Sequence, residues 1–354
     1  MQRSALKKKT YGNYIRYKVL VIVLLFVITL VASLYAISAG SAGLSLKEVL
    51  LTLLGKGTAQ NNTVIFGIRL PRIIAAIVAG IGLATTGCAM QSILRNPLAS
   101  ASTLGVSQGA AFGAAFAIVV LGAGIQFQTT DGVKISNPYL VSICAFVFSM
   151  LSTMVVLGLS RFKKITPEAM VLSGVALSAL FSGGTTLMQY FADDVSLAAI
   201  VFWTFGDLGR ASWEQVIIMS VVTAIGLIYF LFNRWNYNAI QNGENTAKGL
   251  GVNVDAIRLV GMVICSFTAS VIVSFVGIIN FIGLIAPHVI RRIIGGDYRF
   301  LLPASAILGA LMLILSDTLA RVVVAPIILP IGAITSFLGA PLFLYLLFKG
   351  VAKK

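Results

Sequence analysis

The sequence predicts an all-α polytopic membrane protein with about ten transmembrane helices. Of its 354 residues, 58% are hydrophobic and only 10% are charged, whereas soluble domains carry roughly 25% charged residues. The mean hydropathy is +0.98. Apolar runs long enough to cross a bilayer recur along the chain. These observations exclude an ordinary soluble domain.

The boundaries of the spans follow from the apolar runs and from the residues that flank them. A basic cytoplasmic tail, 1–18, precedes an apolar run at about 19–39. This run is longer than the roughly 7–15 residues of a cleaved signal peptide, so we expect an uncleaved first span. The pattern Ser45-Leu-Lys-Glu48 predicts a short helix at the outer surface. Further spans are predicted at about 72–94, 102–121, 138–160, 168–191, 213–233, 256–276, 301–323 and 330–349, with outer connections at 122–137 and 192–212.

The stretch 277–292 predicts a short or broken eighth span. It contains Gly277, Gly283 and Pro287 and has few residues for one pass. A membrane tolerates such irregular backbone only where other protein covers the freed polar groups. With this segment counted, residues 19–350 form one ten-span domain, followed by a cytoplasmic tail at 351–354, and both termini lie on the same side.

The distribution of basic residues predicts the orientation. Nineteen of the 26 lysines and arginines fall on the side of the termini and seven fall on the other side. By the positive-inside rule, both termini are therefore cytoplasmic. The net charge of +15 is then explained by topology and by contact with lipid headgroups. It does not indicate binding to nucleic acid.

The polar segment 236–254 separates two strongly apolar runs and falls on the predicted cytoplasmic side. We expect two short helical pieces between Glu244 and Leu250, with glycines as stops. The segment is either an ordinary loop or the surface that receives energy from a partner. Its candidate contact residues are Gly243, Glu244, Ala247, Gly249 and Leu250.

The sequence carries no motif for hydrolytic or metal chemistry. It has no phosphate-binding loop, no His-Glu-x-x-His pattern and no nucleophile elbow, so we do not expect it to be an enzyme or to hydrolyse ATP itself. The single histidine, His288, cannot build a histidine-rich metal site. Cys88, Cys144 and Cys265 all lie in apolar runs and predict buried free thiols. No cofactor or bound metal is expected.

Asp317 is the clearest acidic residue deep within a predicted span. Arg321 follows it by four residues, so the two side chains would face each other on a helix and pair. A structural ion pair is one interpretation. The other is a proton-carrying carboxylate in an ion-coupled transporter, because such carriers usually keep acidic groups within the membrane.

Arg69, Arg72 and Arg321 are all predicted near the outer ends of their spans. Single arginines there usually extend to the headgroups. Three at one depth could instead form a dock for carboxylates, which arginine binds through paired hydrogen bonds. Both interpretations remain open from the residues alone.

Two other motifs also have a structural and a functional interpretation. Gly105, Gly109 and Gly113 give the third span a face of small residues, which permits close packing within the chain or in a dimer. The turn at Asn96-Pro97 stops a helix, although a gate would need the same bent, polar geometry.

Several motifs in order resemble the permeases of binding-protein-dependent ABC importers of the iron-siderophore, haem and vitamin B12 group. The match runs from about residue 67 to the C-terminus and includes Phe281-Ile-Gly-Leu-Ile-Ala-Pro287-His288-Val-Ile-Arg291. The other matching motifs are Ile68-Arg69-Leu-Pro-Arg72, Arg95-Asn96-Pro97-Leu98-Ala99, Leu104-Gly105-Val-Ser-Gln-Gly109, Leu301-Leu-Pro303, Asp317-Thr-Leu-Ala-Arg321, Leu329-Pro330-Ile-Gly332 and Gly339-Ala-Pro341.

The resemblance implies a permease of the prokaryotic inner membrane that pairs with a second permease, identical or related. Two cytoplasmic ATPase subunits and an extracytoplasmic solute-binding protein would complete the importer. By the same resemblance, the segment 236–254 contacts the ATPase, the outer arginines receive acidic residues of the binding protein, and Asn96 and Leu98 form the cytoplasmic gate. A stand-alone ion-coupled transporter is the alternative.

Overall fold

The computed structural model describes residues 11–40, 43–123, 125–128, 132–135, 138–163 and 166–351. Residues 1–10 of the predicted tail 1–18 and residues 352–354 of the predicted tail 351–354 lie outside these ranges, whereas residues 11–18 are already part of a helix. The described part consists mainly of α-helices, as the sequence predicts. They are α1 (Tyr11–Ser38), α2 (Leu46–Leu53), α3 (Ala59–Asn62), α4 (Leu70–Ile93), α5 (Val106–Val119), α6 (Pro138–Lys163), α7 (Pro167–Phe191), α8 (Asp194–Thr204), α9 (Trp213–Phe232), α10 (Arg234–Gln241), α11 (Glu244–Gly249), α12 (Val254–Val276), α13 (Ile282–Ile294), α14 (Tyr298–Val322) and α15 (Ile331–Val351).

Among the described residues, seven helices are long and apolar enough to cross a membrane. The other three predicted spans fall on α5, α13 and α15. The helix α5 has 14 residues and α13 has 13. The apolar part of α15 for which side chains are described is Ile331–Tyr345. The helix α5 is shortened because a 3-10 turn and Gly105, at a φ of 83°, occupy the start of the predicted span. Long segments thus account for seven of the ten predicted spans.

The predicted break in the eighth span lies at residues 277–281, before α13 begins at Ile282. Gly277 has a φ of 78°, a conformation that glycine adopts without steric cost. A Cβ at Gly277 would lie 2.6 Å from the carbonyl oxygen of Trp203. The irregular backbone is therefore covered by the end of α8, as the membrane environment requires.

The helix α4 lies at the centre of the packing and contacts α9, α12, α13 and α14. Its glycines allow neighbouring backbones to approach closely. A Cβ at Gly80 would lie 2.5 Å from the carbonyl oxygen of Gly309 in α14. Cys88 of α4 and Cys265 of α12 are buried free thiols, as predicted, whereas Cys144 of α6 is only partly buried.

The glycine face of the third predicted span packs within the chain. A Cβ at Gly109 would lie 2.7 Å from the carbonyl oxygen of Phe148, and Gly113 faces the backbone of Cys144, both in α6. The interpretation of this face as a dimer interface is therefore wrong, because α6 already occupies it.

The two predicted outer connections contain regular structure that the sequence analysis did not anticipate. Within 122–137, strands β1 (Ile125–Gln128) and β2 (Gly132–Ile135) form an antiparallel hairpin. Within 192–212, α8 forms after Asp193, whose side chain accepts a hydrogen bond from the backbone N–H of Ser196. That hydrogen bond satisfies one free donor at the start of the helix.

Candidate functional site

The structure brings Arg72 and Arg321 together around Asp317. Arg72 Nε donates to Asp317 Oδ1 at 2.8 Å, and Arg321 Nε donates to Asp317 Oδ2 at 2.9 Å. The carboxylate is fully buried. Each of its oxygens thus accepts a charge-assisted hydrogen bond from a different helix, which joins α4 to α14.

Arg69 and Arg321 also hold the end of α1. Arg69 Nη1 donates to the carbonyl oxygens of Ile37 and Ser38 at 2.6 and 3.0 Å. Arg321 donates to those of Ala39 and Ala36 at 2.7 and 3.0 Å. The last carbonyls of a helix have no partner within the helix, and positive charge there is favoured by the helix dipole. The two arginines therefore cap α1.

In this geometry the three arginines do not form an open surface. Arg69 and Arg72 are only 7% and 9% exposed, and internal acceptors engage the guanidinium groups of both, as well as that of Arg321. The sequence analysis paired Arg321 with Asp317, which the structure confirms, but it missed the acceptors of Arg69 and Arg72. The run Ser38-Ala-Gly-Ser-Ala-Gly43 could have indicated a helix end without a cap of its own.

The predicted contact segment 236–254 forms a pair of short helices, α10 and α11. Both pieces were expected between Glu244 and Leu250, but α10 lies before Gly243. Gly243 has a φ of 123° and makes the sharp turn between the helices. Leu250, just after α11, is 70% exposed. The pair thus presents an apolar side chain on a compact surface.

Two residues of this segment have roles different from those predicted. Ala247 is fully buried against Ala239, Ile240 and Val254, so it packs α11 onto its own chain and cannot face a partner's groove. Gly249 is helical, and a Cβ there would meet no described atom within 4 Å. The turn after α11 is instead made by Gly251, at a φ of 80°.

An ion pair and a hydrogen-bond cluster fix this helix pair to the body of the protein. Glu244 pairs with Arg258 in α12. Asn238 Nδ2 donates to Asp297 Oδ1 at 3.3 Å, and Asn238 Oδ1 accepts from the backbone N–H of Tyr298 at 2.8 Å. Arg299 completes the cluster by donating to Asp297 Oδ2 at 2.7 Å.

Asp297 is charged in this cluster. Burial by itself raises the pKa of its carboxyl group, but hydrogen bonds from Arg299 and Asn238 outweigh burial and hold the pKa below its ordinary value. The sequence analysis missed Asp297 and Asn238, because they lie far apart in sequence and belong to no recognisable motif.

The predicted gate residues form a tight turn after α4. Arg95 has a φ of 47°, an uncommon conformation for a residue with a Cβ, and it ends the helix. Asn96 Oδ1 accepts from the backbone N–H of Leu98 at 2.9 Å. Leu98 is half-exposed. The turn is therefore internally fixed while its apolar side chain remains accessible.

No group of three or more potential metal-ligating side chains occurs within the described ranges. The acidic side chains that are deeply buried or clustered there are paired with arginines. The candidate site therefore has three parts: the ion pairs around Asp317, the exposed surface of α10 and α11, and the turn at Asn96–Leu98.

Comparison with known proteins identifies the family. A model described as the FecCD transport family matches residues 25–349. A protein of Methanocaldococcus jannaschii, assigned as an ABC transporter permease, is 52% identical over 96% of this chain and 97% of its own length. The Fe(3+)-citrate import system permease of Bacillus subtilis is 36% identical, over 93% of this chain and 94% of its own.

Two further similarities agree with this result. The hemin transport system permease of Yersinia pestis is 36% identical over 80% of this chain and 82% of its own. A solved structure of a transporter assigned to the metal-chelate type of ABC transporter, in an inward-facing conformation, has a TM-score of 0.78 and 28% identity. That similarity covers 94% of this chain and 99% of the other. The chain belongs to the FecCD transport family and is a multi-pass inner-membrane permease of an ABC transporter.

Proposed function

We propose that this permease imports a metal chelate of the ferric-siderophore, haem or cobalamin class. A solute-binding protein delivers the chelate to a pair of permeases, and two ATPase subunits drive its passage. Relatives named for iron citrate and for hemin support a metal chelate as the substrate class. The chain lacks a phosphate-binding loop, so ATP hydrolysis belongs to a partner subunit.

The observation that carries this proposal is the exposed surface of α11. Leu250 and Gly249 face outward, while Ala247 on the opposite side is buried. A single exposed leucine is common on protein surfaces, so the proposal also depends on the place of Leu250 in a polar segment between two apolar spans, which the basic residues predict on the cytoplasmic side. We assign this surface to the ATPase, whose binding and release of ATP would shift the permease between preformed states.

The membrane topology of the proposal has ten spans and both termini in the cytoplasm. The helices α5, α13 and α15 supply the three spans beyond the seven that length and composition identify. This arrangement puts α10 and α11 on the cytoplasmic side, together with most of the basic residues. The turn at Asn96–Leu98 would lie on the same side and close the inner end of the pathway.

A single-cysteine label at Asn242 tests this topology. Asn242 is exposed, so Asn242→Cys, in a background without the three native cysteines, should react with a membrane-impermeant maleimide in inverted vesicles but not in sealed cells. Leu54→Cys, predicted on the outer surface, is the control and should show the opposite pattern. Labelling of position 242 from outside would overturn the ten-span topology.

The arginine cluster contributes to binding-protein docking in this proposal through its charge and by fixing the end of α1. The cluster contains three arginines and two carboxylates. The carboxylates are Asp317 and Asp207, whose Oδ1 lies 3.5 Å from Arg72 Nη2. The surplus positive charge would attract acidic residues of the binding protein. Complex formation should therefore weaken as salt is raised, and salt-independent affinity would remove this role from the cluster.

The ion-coupled alternative gains no support from Asp317. Its carboxylate accepts hydrogen bonds from two arginines, and protonation would break both ion pairs. From the sequence alone, Asp317 could be a proton carrier. Its two hydrogen bonds instead favour a structural role in linking α4 to α14.

Uptake by reconstituted vesicles tests the function. Chelate accumulation should require the ATPase subunits, the solute-binding protein and ATP together, because the permease cannot use ATP alone. It should survive an ionophore that collapses proton and sodium gradients. Accumulation without the ATPase, driven by an imposed ion gradient, would instead identify an ion-coupled transporter.

A further inference from the structure

A side-chain hydrogen bond joins the end of α10 to the last turn of α4. Gln241 Nε2 donates to Ser92 Oγ at 2.6 Å, and Ser92 is fully buried. The hydroxyl of Ser92 in turn donates to the carbonyl oxygen of Cys88 at 3.1 Å. Gln241 and Ser92 are 149 positions apart in sequence, and none of the motifs quoted in the sequence analysis includes Gln241.

The α4 side of this contact leads directly to the turn at Asn96–Leu98. Gln91, next to Ser92, accepts a hydrogen bond on its backbone oxygen from the N–H of Asn96 at 3.2 Å. Its side chain donates to the carbonyl oxygen of Leu284 in α13 at 3.2 Å. A displacement of Ser92 would therefore be passed to the turn and to the broken span.

The α10 side of the contact leads to α11. The segment between Gln241 and α11 is only Asn242 and Gly243, and the N–H of Gly243 donates to the carbonyl oxygen of Ile240 at 3.1 Å. Because this connection has only two residues, a movement of α11 at Leu250 should also move the end of α10. Asn238 and Tyr237 hold the other side of α10 to α14, where the rings of Tyr237 and Tyr298 lie 4.9 Å apart.

We propose that Gln241 is a positioning residue that transmits movement of α11 to the turn at Asn96–Leu98 through its hydrogen bond to Ser92. This inference rests on the proposed function, because it assumes that an ATPase acts on α11. The attachment of α10 to α14 includes a backbone N–H, packed rings and the hydrogen bond from Asn238 to Asp297. On the side of α4, where α10 also packs, the hydrogen bond from Gln241 to Ser92 joins two side chains that can exchange partners, so it can change between states.

The test measures the coupling ratio, defined as chelate molecules transported per ATP hydrolysed. Gln241→Ala and Ser92→Ala should each lower this ratio by about fivefold, the factor expected for loss of one hydrogen bond. The double variant should be no worse than either single variant, because both remove the same interaction. Asn236→Ala is the matched control. Its side chain lies on α10 away from this connection and donates to Asn233 Oδ1 at 2.9 Å, so the ratio should not change.

A second measurement separates transmission from simple destabilisation. The reactivity of a cysteine at Leu98 should change when ATP is added to the complex, and Gln241→Ala should abolish that change without releasing the ATPase. Unchanged coupling in both single variants, or additive losses in the double variant, would overturn the inference. If the unaltered permease fails to bind the ATPase at all, it is the proposed function that fails.

Discussion

Replacing Asp317 with asparagine should sharply reduce the amount of folded permease. The substitution removes the charge that holds Arg72 and Arg321 and leaves two guanidinium groups buried beside a neutral amide. Breaking a buried ion pair by removing one partner costs about 3–5 kcal/mol. We expect a markedly lower melting temperature in detergent and little monodisperse protein.

The control for this experiment is Asp255→Asn. The side chain of Asp255 is 84% exposed and lies 3.8 Å from Arg258; surface pairs of this kind contribute about 0–1 kcal/mol. The control should therefore melt close to the unaltered protein. If Asp317→Asn also melts there, the ion pairs are not structural, and loss of transport in that stable variant would support a proton-carrying role.

The same geometry changes how charge reversal of the arginines must be interpreted. Arg72→Glu would place a carboxylate against Asp317, in a site that already excludes water. The substitution should prevent folding, so a lost binding-protein complex would say nothing about docking. Salt dependence of the unaltered complex tests docking without this complication.

Replacing Leu250 with aspartate should release the ATPase while leaving the permease folded. A central apolar contact in an interface contributes about 2 kcal/mol or more, which is roughly thirtyfold in Kd. Because Leu250 is exposed in the isolated chain, its replacement by a polar residue should not lower the melting temperature. ATPase co-purification and ATP-driven uptake should fall together.

Ala247→Trp provides the contrasting result. The alanine is enclosed by residues of its own chain, and inserting a larger side chain into such packing costs about 1–3 kcal/mol. This variant should lose stability before it loses a partner. If Leu250→Asp binds the ATPase with normal affinity, α11 is not the contact surface.

The sequence predicted the helical class and the location of the α10–α11 region because composition and periodicity report directly on burial in a membrane. It also paired Asp317 with Arg321, since four residues on a helix fix their proximity. These predictions depend on local spacing, which a single sequence carries.

The remaining features depend on contacts between distant segments. Nothing near Arg69 in the sequence indicates that its partners are the carbonyl oxygens of Ile37 and Ser38. The burial of Ala247 likewise depends on where α10 folds back, and α10 was not separated from α11. The sequence analysis placed a helix stop at Gly249 because glycine can adopt turn conformations. In the structure Gly249 has a helical backbone and open surroundings, so no turn there requires a glycine.

Site-specific cross-linking tests most directly whether ATP-driven motion enters through α11. A photoreactive amino acid at Leu250 should form a covalent product with the ATPase subunit in the assembled complex, and ATP should alter its yield. The same probe at Leu54, which is 74% exposed and predicted on the opposite membrane face, should give no such product. ATPase cross-linked from position 54, or none from position 250 in a complex that still transports, would contradict the assignment.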